Sequence, residues 1–269
     1  NIAKYYALDI RTGKLLWSKE NVAPFNSQIK IYKDKFFVVD FQNILRSFSV
    51  KNGTEIWNVK TEKSLIRSQE KLSMVIVDKK IYFNNSKGDI TAVDITSGEL
   101  MWQRPTLSSL VFDEGFFIKT SEIIADKETL YFSNNKNQFF SLDIKTGNIN
   151  WQQKINSNLK PTLIDSYIFT VSIEGYLIII EKNSGNILRI NDLFKNIKPK
   201  KRKKIKATGF IVGIDKIYLT TNHGRLLTVD LKSGSTQSII KIDKNKISRP
   251  TISKQSLFIV TDKSIIKLN

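Results

Sequence analysis

The chain contains no cysteine and only one histidine, His223, in 269 residues. Disulfides and thiolate metal sites are therefore excluded within it, and one imidazole is too few for a histidine metal cluster. Serine–histidine catalysis would need His223 as its base, and no nucleophile elbow lies near it. The chain also lacks a glycine loop of the kind that binds phosphate. We therefore predict no catalytic residue, no metal site and no cofactor.

Sustained helical periodicity is missing as well, apart from one short turn predicted at residues 193–197. There is no signal peptide and no transmembrane run. Because the chain does not begin with methionine, that absence says nothing about its compartment. The pattern favours an all-β protein.

Acidic residues are scarce. The chain has 25 of them against 43 Lys and Arg, a net charge of +18. Because the lysines are scattered along the chain, a general bias toward lysine explains most of this positive charge better than a polyanion partner does. Nucleic acid is therefore not an expected partner. The exception is Lys198–Lys206, with seven positive charges in nine residues. We interpret it as a loop, either a solvated connector or a contact for anionic lipid.

Two marks ten residues apart recur along the chain and indicate an internal repeat. The first mark is Asn43, Gly88, Asn137, Gly175 or Gly224, and the second is Gly53, Gly98, Gly147, Gly185 or Gly234. An earlier copy of the second mark is Gly13.

The second mark closes the phrase Asp-x-x-Ser/Thr-Gly, which is typical of a bulged β-hairpin turn. Its carboxylates are Asp9, Asp94, Asp143 and Asp230, and since each belongs to a separate repeat we assign them structural roles. All four tryptophans stand four residues after a second mark: Trp17, Trp57, Trp102 and Trp151. We predict that they pack between neighbouring sheets; stacking on a flat ligand is the alternative.

Two short apolar runs precede each hairpin, so each repeat holds four strands in about 43 residues, the size of a propeller blade. We predict a single β-propeller domain over residues 1–269. The expected repeats are 1–22, 23–62, 63–106, 107–156, 157–195, 207–245 and 246–269, with a basic connector at 196–206. The chain starts and stops at the same phase of a repeat. We therefore expect a missing N-terminal portion, one strand of which completes the last blade.

The phrase Ala-x-Asp-x-x-Thr-Gly-x-x-x-Trp, at residues 7–17, resembles the repeat of quinoprotein-type propellers. The resemblance covers six repeats and part of a seventh. It implies an eight-bladed family, with about six to seven blades in this chain. One branch contains dehydrogenases that bind pyrroloquinoline quinone and calcium; the other is the BamB family of lipoproteins, which are not enzymes.

Three features favour the BamB branch: the absence of the adjacent cysteine pair common in the dehydrogenases, the compact spacing of 38 to 49 residues between turn glycines, and the ending at 263–269. That resemblance implies a scaffold of outer-membrane β-barrel assembly that docks to the periplasmic domains of BamA, with unfolded outer-membrane proteins as possible clients. It also implies a lipid anchor at the periplasmic face of the outer membrane, through the missing N-terminus. The alternatives are a quinone-dependent dehydrogenase and a ligand-binding sensor propeller.

In BamB-like proteins, the loop after the third blade's tryptophan carries apolar residues and an arginine that touch BamA. Leu65, Ile66 and Arg67 match that pattern here, and the alternative is that the two apolar residues only cover the core. The next such loop carries aspartates in the family. The nearest acids here are Asp113 and Glu114, which depart from the family's spacing and form the second candidate loop.

Overall fold

The computed structural model describes residues 3–61, 71–106 and 118–268 of the chain. Within these ranges the backbone forms 25 β-strands and one helix of four residues. No helix in the described ranges is long and apolar enough to cross a bilayer. The predicted all-β class is confirmed.

The strands are short, two to six residues each. In chain order they are β1 (Lys4–Leu8), β2 (Leu15–Glu20), β3 (Lys30–Tyr32), β4 (Lys35–Val39), β5 (Ile44–Ser49), β6 (Glu55–Lys60), β7 (Met74–Val77), β8 (Lys80–Asn84), β9 (Ile90–Asp94), β10 (Leu100–Arg104), β11 (Ile124–Ala125), β12 (Thr129–Asn134), β13 (Gln138–Asp143), β14 (Ile149–Gln153), β15 (Thr162–Ile164), β16 (Tyr167–Val171), β17 (Tyr176–Glu181), β18 (Ile187–Asp192), β19 (Ala207–Val212), β20 (Lys216–Thr221), β21 (Arg225–Asp230), β22 (Thr236–Lys241), β23 (Thr251–Ser253), β24 (Ser256–Val260) and β25 (Ile265–Leu268). The helix is α1 (Pro199–Arg202).

The described strands form seven sheets, which we number in chain order. Sheet 1 contains β1 and β2, sheets 2 to 6 contain four strands each, and sheet 7 contains β23 to β25. Strands that follow one another in the sequence are neighbours in the sheet, and they pair antiparallel, as β17 does with β16 and β18. Successive four-stranded meanders are the blades of a β-propeller, as the repeat predicts.

Each meander has two different ends because its strands alternate in direction. The turn between the second and third strands lies at one end, where the chain also enters the first strand and leaves the fourth. We call this the connector end. The turn between the third and fourth strands lies at the opposite end, which we call the glycine-turn end.

The chain divides into two compact units, each with its own apolar clusters. Unit 1 comprises residues 1–119, 125–130 and 142–149, and unit 2 comprises 120–124, 131–141 and 150–269. In unit 1, a buried cluster contains Phe37, Leu45, Met74 and Phe83, from sheets 2 and 3. In unit 2, a buried cluster contains Phe169, Phe194, Phe210 and Leu227. The predicted single domain and its repeat boundaries stay predictions.

Burial differs between the strands of one sheet. In sheet 5, the third strand β17 buries its four central residues, while the fourth strand β18 keeps Leu188 and Ile190 exposed. The same contrast separates β5 from β6 in sheet 2. The third strand β17 is a near-continuous apolar run because both of its faces are covered, whereas β5 buries Arg46 and Ser47 among its apolar residues. The fourth strand therefore forms a solvent-exposed edge of the four-stranded sheets.

The ten-residue interval corresponds to the third strand together with its two turns. Both marks adopt positive φ: +60° at Asn43 and +69° at Gly53, for example. In the glycine turn of sheet 4, the Asp143 carboxylate accepts hydrogen bonds from the amide and hydroxyl of Thr146, both at 2.8 Å. The amide of Gly147 donates to the Asp143 carbonyl at 2.9 Å. The carboxylate therefore satisfies the donors that a bulged turn leaves unpaired.

Each repeat tryptophan lies against a turn glycine one repeat further along the chain. A Cβ atom on Gly147 would stand 2.6 Å from Cε3 of Trp102, which is closer than any real contact allows. The pairs formed in this way are Trp17 with Gly53, Trp57 with Gly98, Trp102 with Gly147 and Trp151 with Gly185. The glycine is required twice at these turns, for its backbone conformation and for the space that the indole fills.

A hydrogen bond accompanies this contact in most repeats. The indole of Trp151 donates to the Lys182 carbonyl at 2.8 Å, and Trp17 and Trp102 donate to the equivalent carbonyls of Val50 and Ile144. The indole nitrogen of Trp57 is buried without a partner. In the next repeat Arg189 occupies the tryptophan position and donates to the Leu231 carbonyl at 2.7 Å. Arginine thus keeps the hydrogen bond of the indole, while the space over the turn glycine of that repeat, Gly234, is filled by the side chain of Asn191.

We predict that Gly147→Ala destabilises the protein more than Gly13→Ala. Both glycines have φ near +70°, so both substitutions strain the backbone, by about 1–2 kcal/mol. Only at Gly147 does the new methyl group also meet an indole, because Gly13 has no atom within 4 Å of its Cβ position. Overpacking should add about 1–3 kcal/mol. Urea denaturation of the two variants measures the difference, and equal losses of stability would contradict this role of the tryptophan.

Candidate functional site

The predicted partner-binding residues lie outside the described residues. Leu65, Ile66 and Arg67 fall in segment 62–70, and Asp113 and Glu114 fall in segment 107–117. The structure does describe the positions from which these two segments leave sheets 2 and 3. Both leave a fourth strand, and so both start at the connector end of a sheet in unit 1.

The last described residue before each segment is a buried threonine in the same local arrangement. The hydroxyl of Thr61 donates to the carbonyl of Asn43 at 2.9 Å, and that of Thr106 donates to the carbonyl of Gly88 at 2.9 Å. The two threonines are only 8% and 7% exposed. Both segments therefore begin at a fixed point beside the second-to-third-strand turn.

Asn43 also connects the two sheets at this end. Its side-chain oxygen accepts hydrogen bonds from the amide of Ser86 at 3.0 Å and from the hydroxyl of Ser86 at 2.7 Å. Ser86 belongs to the second-to-third-strand turn of sheet 3. Where segment 62–70 ends, the amide of Leu72 donates to the Asn26 carbonyl at 2.7 Å. This part of unit 1 is thus a continuous hydrogen-bonded frame around the points where the two candidate loops are attached.

A buried ion pair stabilises the same turn of sheet 2. The Arg46 guanidinium contacts Asp40 at 2.8 Å and Glu55 at 2.7 Å, and Asp40 is completely buried. Burial disfavours the charged form of Arg46, but the hydrogen bonds to the two carboxylates outweigh it and raise its pKa. The second oxygen of Asp40 accepts the amides of Gln42 and Ile44, which belong to the turn. Asp40 and Arg46 therefore hold the turn in place.

The threonine anchors and this ion pair are not among the features predicted from the sequence. One signal for the threonines was available, since each stands 18 residues after a first mark. The pairing of Asp40 with Arg46 has no such signal, because it depends on which residues of two paired strands face the same side.

The repeated carboxylates each lie within their own turn. The hydrogen bond from the Thr146 hydroxyl is the largest effect that lowers the pKa of Asp143, and hydrogen bonds from backbone amides add to it. Amides and hydroxyls of their own turns also lower the pKa values of Asp9, Asp94 and Asp230. Among the described residues, no group of three or more acidic or histidine side chains is arranged to hold a metal ion.

The single histidine lies in an exposed turn at the connector end of sheet 6. Its Nδ1 atom stands 2.9 Å from the side-chain oxygen of Asn222, the preceding residue. No carboxylate contacts the His223 ring within the described part of the chain. This environment is that of a surface turn residue.

The basic segment departs from the prediction. The sequence predicts a loop at residues 198–206, but Pro199–Arg202 form one helical turn, α1. Proline at the first helical position supplies a helical φ and lacks an amide that would need a partner there. The amides of Lys201 and Arg202 then donate to the Lys198 carbonyl. The turn predicted at 193–197 is present, as a turn at residues 193–196.

We predict that the stability of the protein falls as the pH drops below the ordinary aspartate pKa of 3.8. The folded state lowers the pKa of Asp143, so it binds a proton less readily than the unfolded state does. The stabilisation that the Asp143 carboxylate provides is therefore complete above the ordinary pKa of 3.8. It is lost as the pH falls through the lower pKa that Asp143 has in the folded state.

Asp143→Asn should reduce the slope of unfolding free energy against pH in this acidic range, measured by urea denaturation. Thr146→Val, which removes the main cause of the shift, should reduce the slope in part. A slope unchanged in both variants would show that the turn carboxylate does not carry the effect.

Comparison with known proteins agrees with this architecture. Residues 2–191 match the family described as outer membrane protein assembly factor BamB. The crystal structure of BamB from Moraxella catarrhalis superposes with a TM-score of 0.82 at 18% identity, over 98% of this chain and 78% of that one. At that identity the likeness confirms the β-propeller fold alone. Comparison with curated proteins finds no match. Because the family match spans more than two thirds of its length, the chain belongs to the BamB family of outer membrane protein assembly factors.

Proposed function

We propose that the chain is a non-enzymatic docking subunit of outer-membrane β-barrel assembly, which binds the periplasmic domains of a BamA-like barrel protein. The observation that carries the proposal is the family match over residues 2–191. The proposal includes a location at the periplasmic face of the outer membrane and a lipid anchor. The absence of cysteine and the compact repeats also favour a scaffold over a quinone-dependent dehydrogenase.

The proposed docking site consists of the two segments that follow Thr61 and Thr106. Leu65, Ile66 and Arg67 supply apolar contacts and a guanidinium, the combination that anchors many interfaces. Asp113 and Glu114 supply carboxylates on the second segment. Because both segments start from buried, hydrogen-bonded threonines in adjoining sheets, their attachment points are fixed. Less ordering of the frame is then needed on binding, which favours affinity.

The exposed fourth strands offer a second kind of contact, with unfolded outer-membrane proteins. In β18, Leu188 and Ile190 are more than half exposed, and the strand forms one edge of sheet 5. An extended client segment can pair with such an edge through backbone hydrogen bonds. We include this client contact in the proposal, as an activity separate from docking to the barrel protein.

We predict that Arg67→Glu weakens binding to the isolated periplasmic domains of the BamA-like protein by at least about tenfold, because it reverses a charge at the centre of the proposed contact. Leu65→Ser should weaken binding through the loss of apolar contact. Biolayer interferometry against the immobilised domains measures the dissociation constants.

The matched control is Lys63→Glu, which makes the same charge change four residues away in the same segment. It should change the dissociation constant by less than about threefold, as expected for a peripheral charge. Binding that is equally strong in Arg67→Glu and in the unaltered chain would remove Arg67 from the site. An equal loss in Lys63→Glu would show that charge in general, and not Arg67, governs binding.

A further inference from the structure

Unit 2 carries a concentrated positive charge at the connector end of sheets 5 and 6. Seven of the nine residues from Lys198 to Lys206 are basic, and the segment contains no acid. The nearest acid in the sequence, Asp192, is already paired with Arg202 at 2.7 Å. The charge of the lysines is therefore not neutralised within the segment.

The segment is held on unit 2 at several points. Arg202 pairs with Asp192 and lies over the ring of Tyr176, with 5.5 Å from its Cζ atom to the ring centroid. Ile205 is only 9% exposed and belongs to the apolar cluster of unit 2. The side chain of Asn222 donates to the Lys204 carbonyl at 3.1 Å and accepts the Lys206 amide at 2.8 Å. Arg202 and Ile205 therefore anchor the segment, and the lysines around them face solvent.

A second basic loop adjoins the first through the turn that contains Asn222. Gly224 of that turn accepts hydrogen bonds from the amides of Ile242 and Asp243, at 2.8 and 3.2 Å. Lys244 and Lys246 follow in this loop, and both are exposed. We call the two loops together the basic surface, defined by the exposed residues Lys198, Lys200, Lys201, Lys203, Lys204, Lys244 and Lys246.

None of these lysines has an anionic partner among the described residues. In the same unit, Lys160 does find one, at 2.9 Å from Glu122. Like charges held close together on an ordered segment repel one another and oppose the folded state. An external polyanion would relieve that repulsion.

The chemistry of the basic surface fits a plane of lipid headgroups better than a nucleic acid. Its accessible cations are all lysines, which act as hydrated point charges, whereas Arg202, the residue suited to bidentate phosphate recognition, is engaged internally. Neither loop, residues 198–206 or 242–250, contains a Phe, Tyr or Trp side chain on which a base could stack, and the turn between them contributes a single imidazole, His223. Clusters of four to eight basic residues are typical of surfaces that bind anionic lipid.

We propose that the basic surface adsorbs electrostatically onto bilayers that contain anionic phospholipid headgroups. The apolar Ile205 is buried in the protein, so adsorption involves no insertion into the acyl chains. This contact does not depend on docking to the BamA-like protein, because it uses other residues of the chain.

The test is co-sedimentation of the full chain with phosphatidylcholine vesicles that contain about 30% phosphatidylglycerol. The unaltered chain should bind these vesicles, and binding should weaken as salt is raised. It should not bind vesicles of pure phosphatidylcholine. The variant K200Q/K201Q/K203Q/K204Q should bind the anionic vesicles at least about tenfold more weakly, since each lysine contributes to the attraction.

The control variant makes the same change in net charge elsewhere. Lys14, Lys51, Lys145 and Lys232 are exposed residues of glycine turns, at the opposite ends of their sheets, and K14Q/K51Q/K145Q/K232Q should keep most of the vesicle binding. All substituted side chains are exposed, so neither variant should melt more than about 2 °C below the unaltered chain. The melting temperatures verify that each variant is folded.

Three results would overturn the proposal. The first is that the unaltered chain fails to sediment with the anionic vesicles. The second is an equal loss of binding in both variants, which would assign the effect to net charge alone. The third is tighter binding to a double-stranded DNA oligonucleotide than to the vesicles, lost in the K200Q/K201Q/K203Q/K204Q variant, which would assign the surface to nucleic acid.

Discussion

The contact between an indole on a fourth strand and a turn glycine of the following repeat is the interaction on which the rest of the structure depends. In unit 1 it joins Trp102 to Gly147, and in unit 2 it joins Trp151 to Gly185. The glycine must adopt positive φ and must also lack a side chain, so both partners are tightly specified. This double requirement explains why the glycine and the tryptophan recur at a fixed spacing. In the next repeat the two parts of this contact are divided, since Arg189 donates the hydrogen bond to the equivalent carbonyl, that of Leu231, and Asn191 fills the space over Gly234.

The repeated contacts at the glycine-turn ends leave the connector ends free to vary. Segments 62–70 and 107–117 leave sheets at buried threonines, while in unit 2 the connector after sheet 5 becomes a short basic helix held by Arg202 and Asn222. The two proposed activities, docking to a barrel protein and adsorption to anionic lipid, both use such connectors. A scaffold that holds variable loops on regular sheets supports this division, because the connectors lie at the opposite ends of the sheets from the turn glycines that the indoles contact.

The sequence predicts the features that are local or periodic. The Asp-x-x-Thr-Gly turn at Asp143 is contained in five residues, and the four-stranded repeat follows from the ten-residue interval and the apolar runs before it. The position of the tryptophans could be predicted as well, because a large side chain at a constant place in each repeat has to pack on a constant neighbour.

Features that depend on contacts between distant residues could not be predicted. The hydrogen bond from Ser86 to Asn43 joins residues 43 apart, and α1 is stabilised by Asp192 and by burial of Ile205 in the apolar cluster of unit 2. Helix α1 could not be predicted from the composition of the segment, because a run of lysines is typical of a solvated loop. The assignment of Leu65 and Arg67 as docking residues is based on family resemblance, and the structure describes only Thr61, the residue from which their segment starts.

The most direct test of the central claim is a double-mutant cycle between Trp102 and Gly147, followed by urea denaturation. In the Trp102→Ala background, Gly147→Ala should cost only the backbone strain of about 1–2 kcal/mol, since the indole that it would meet is gone. An equal cost of Gly147→Ala with and without the indole would contradict the account.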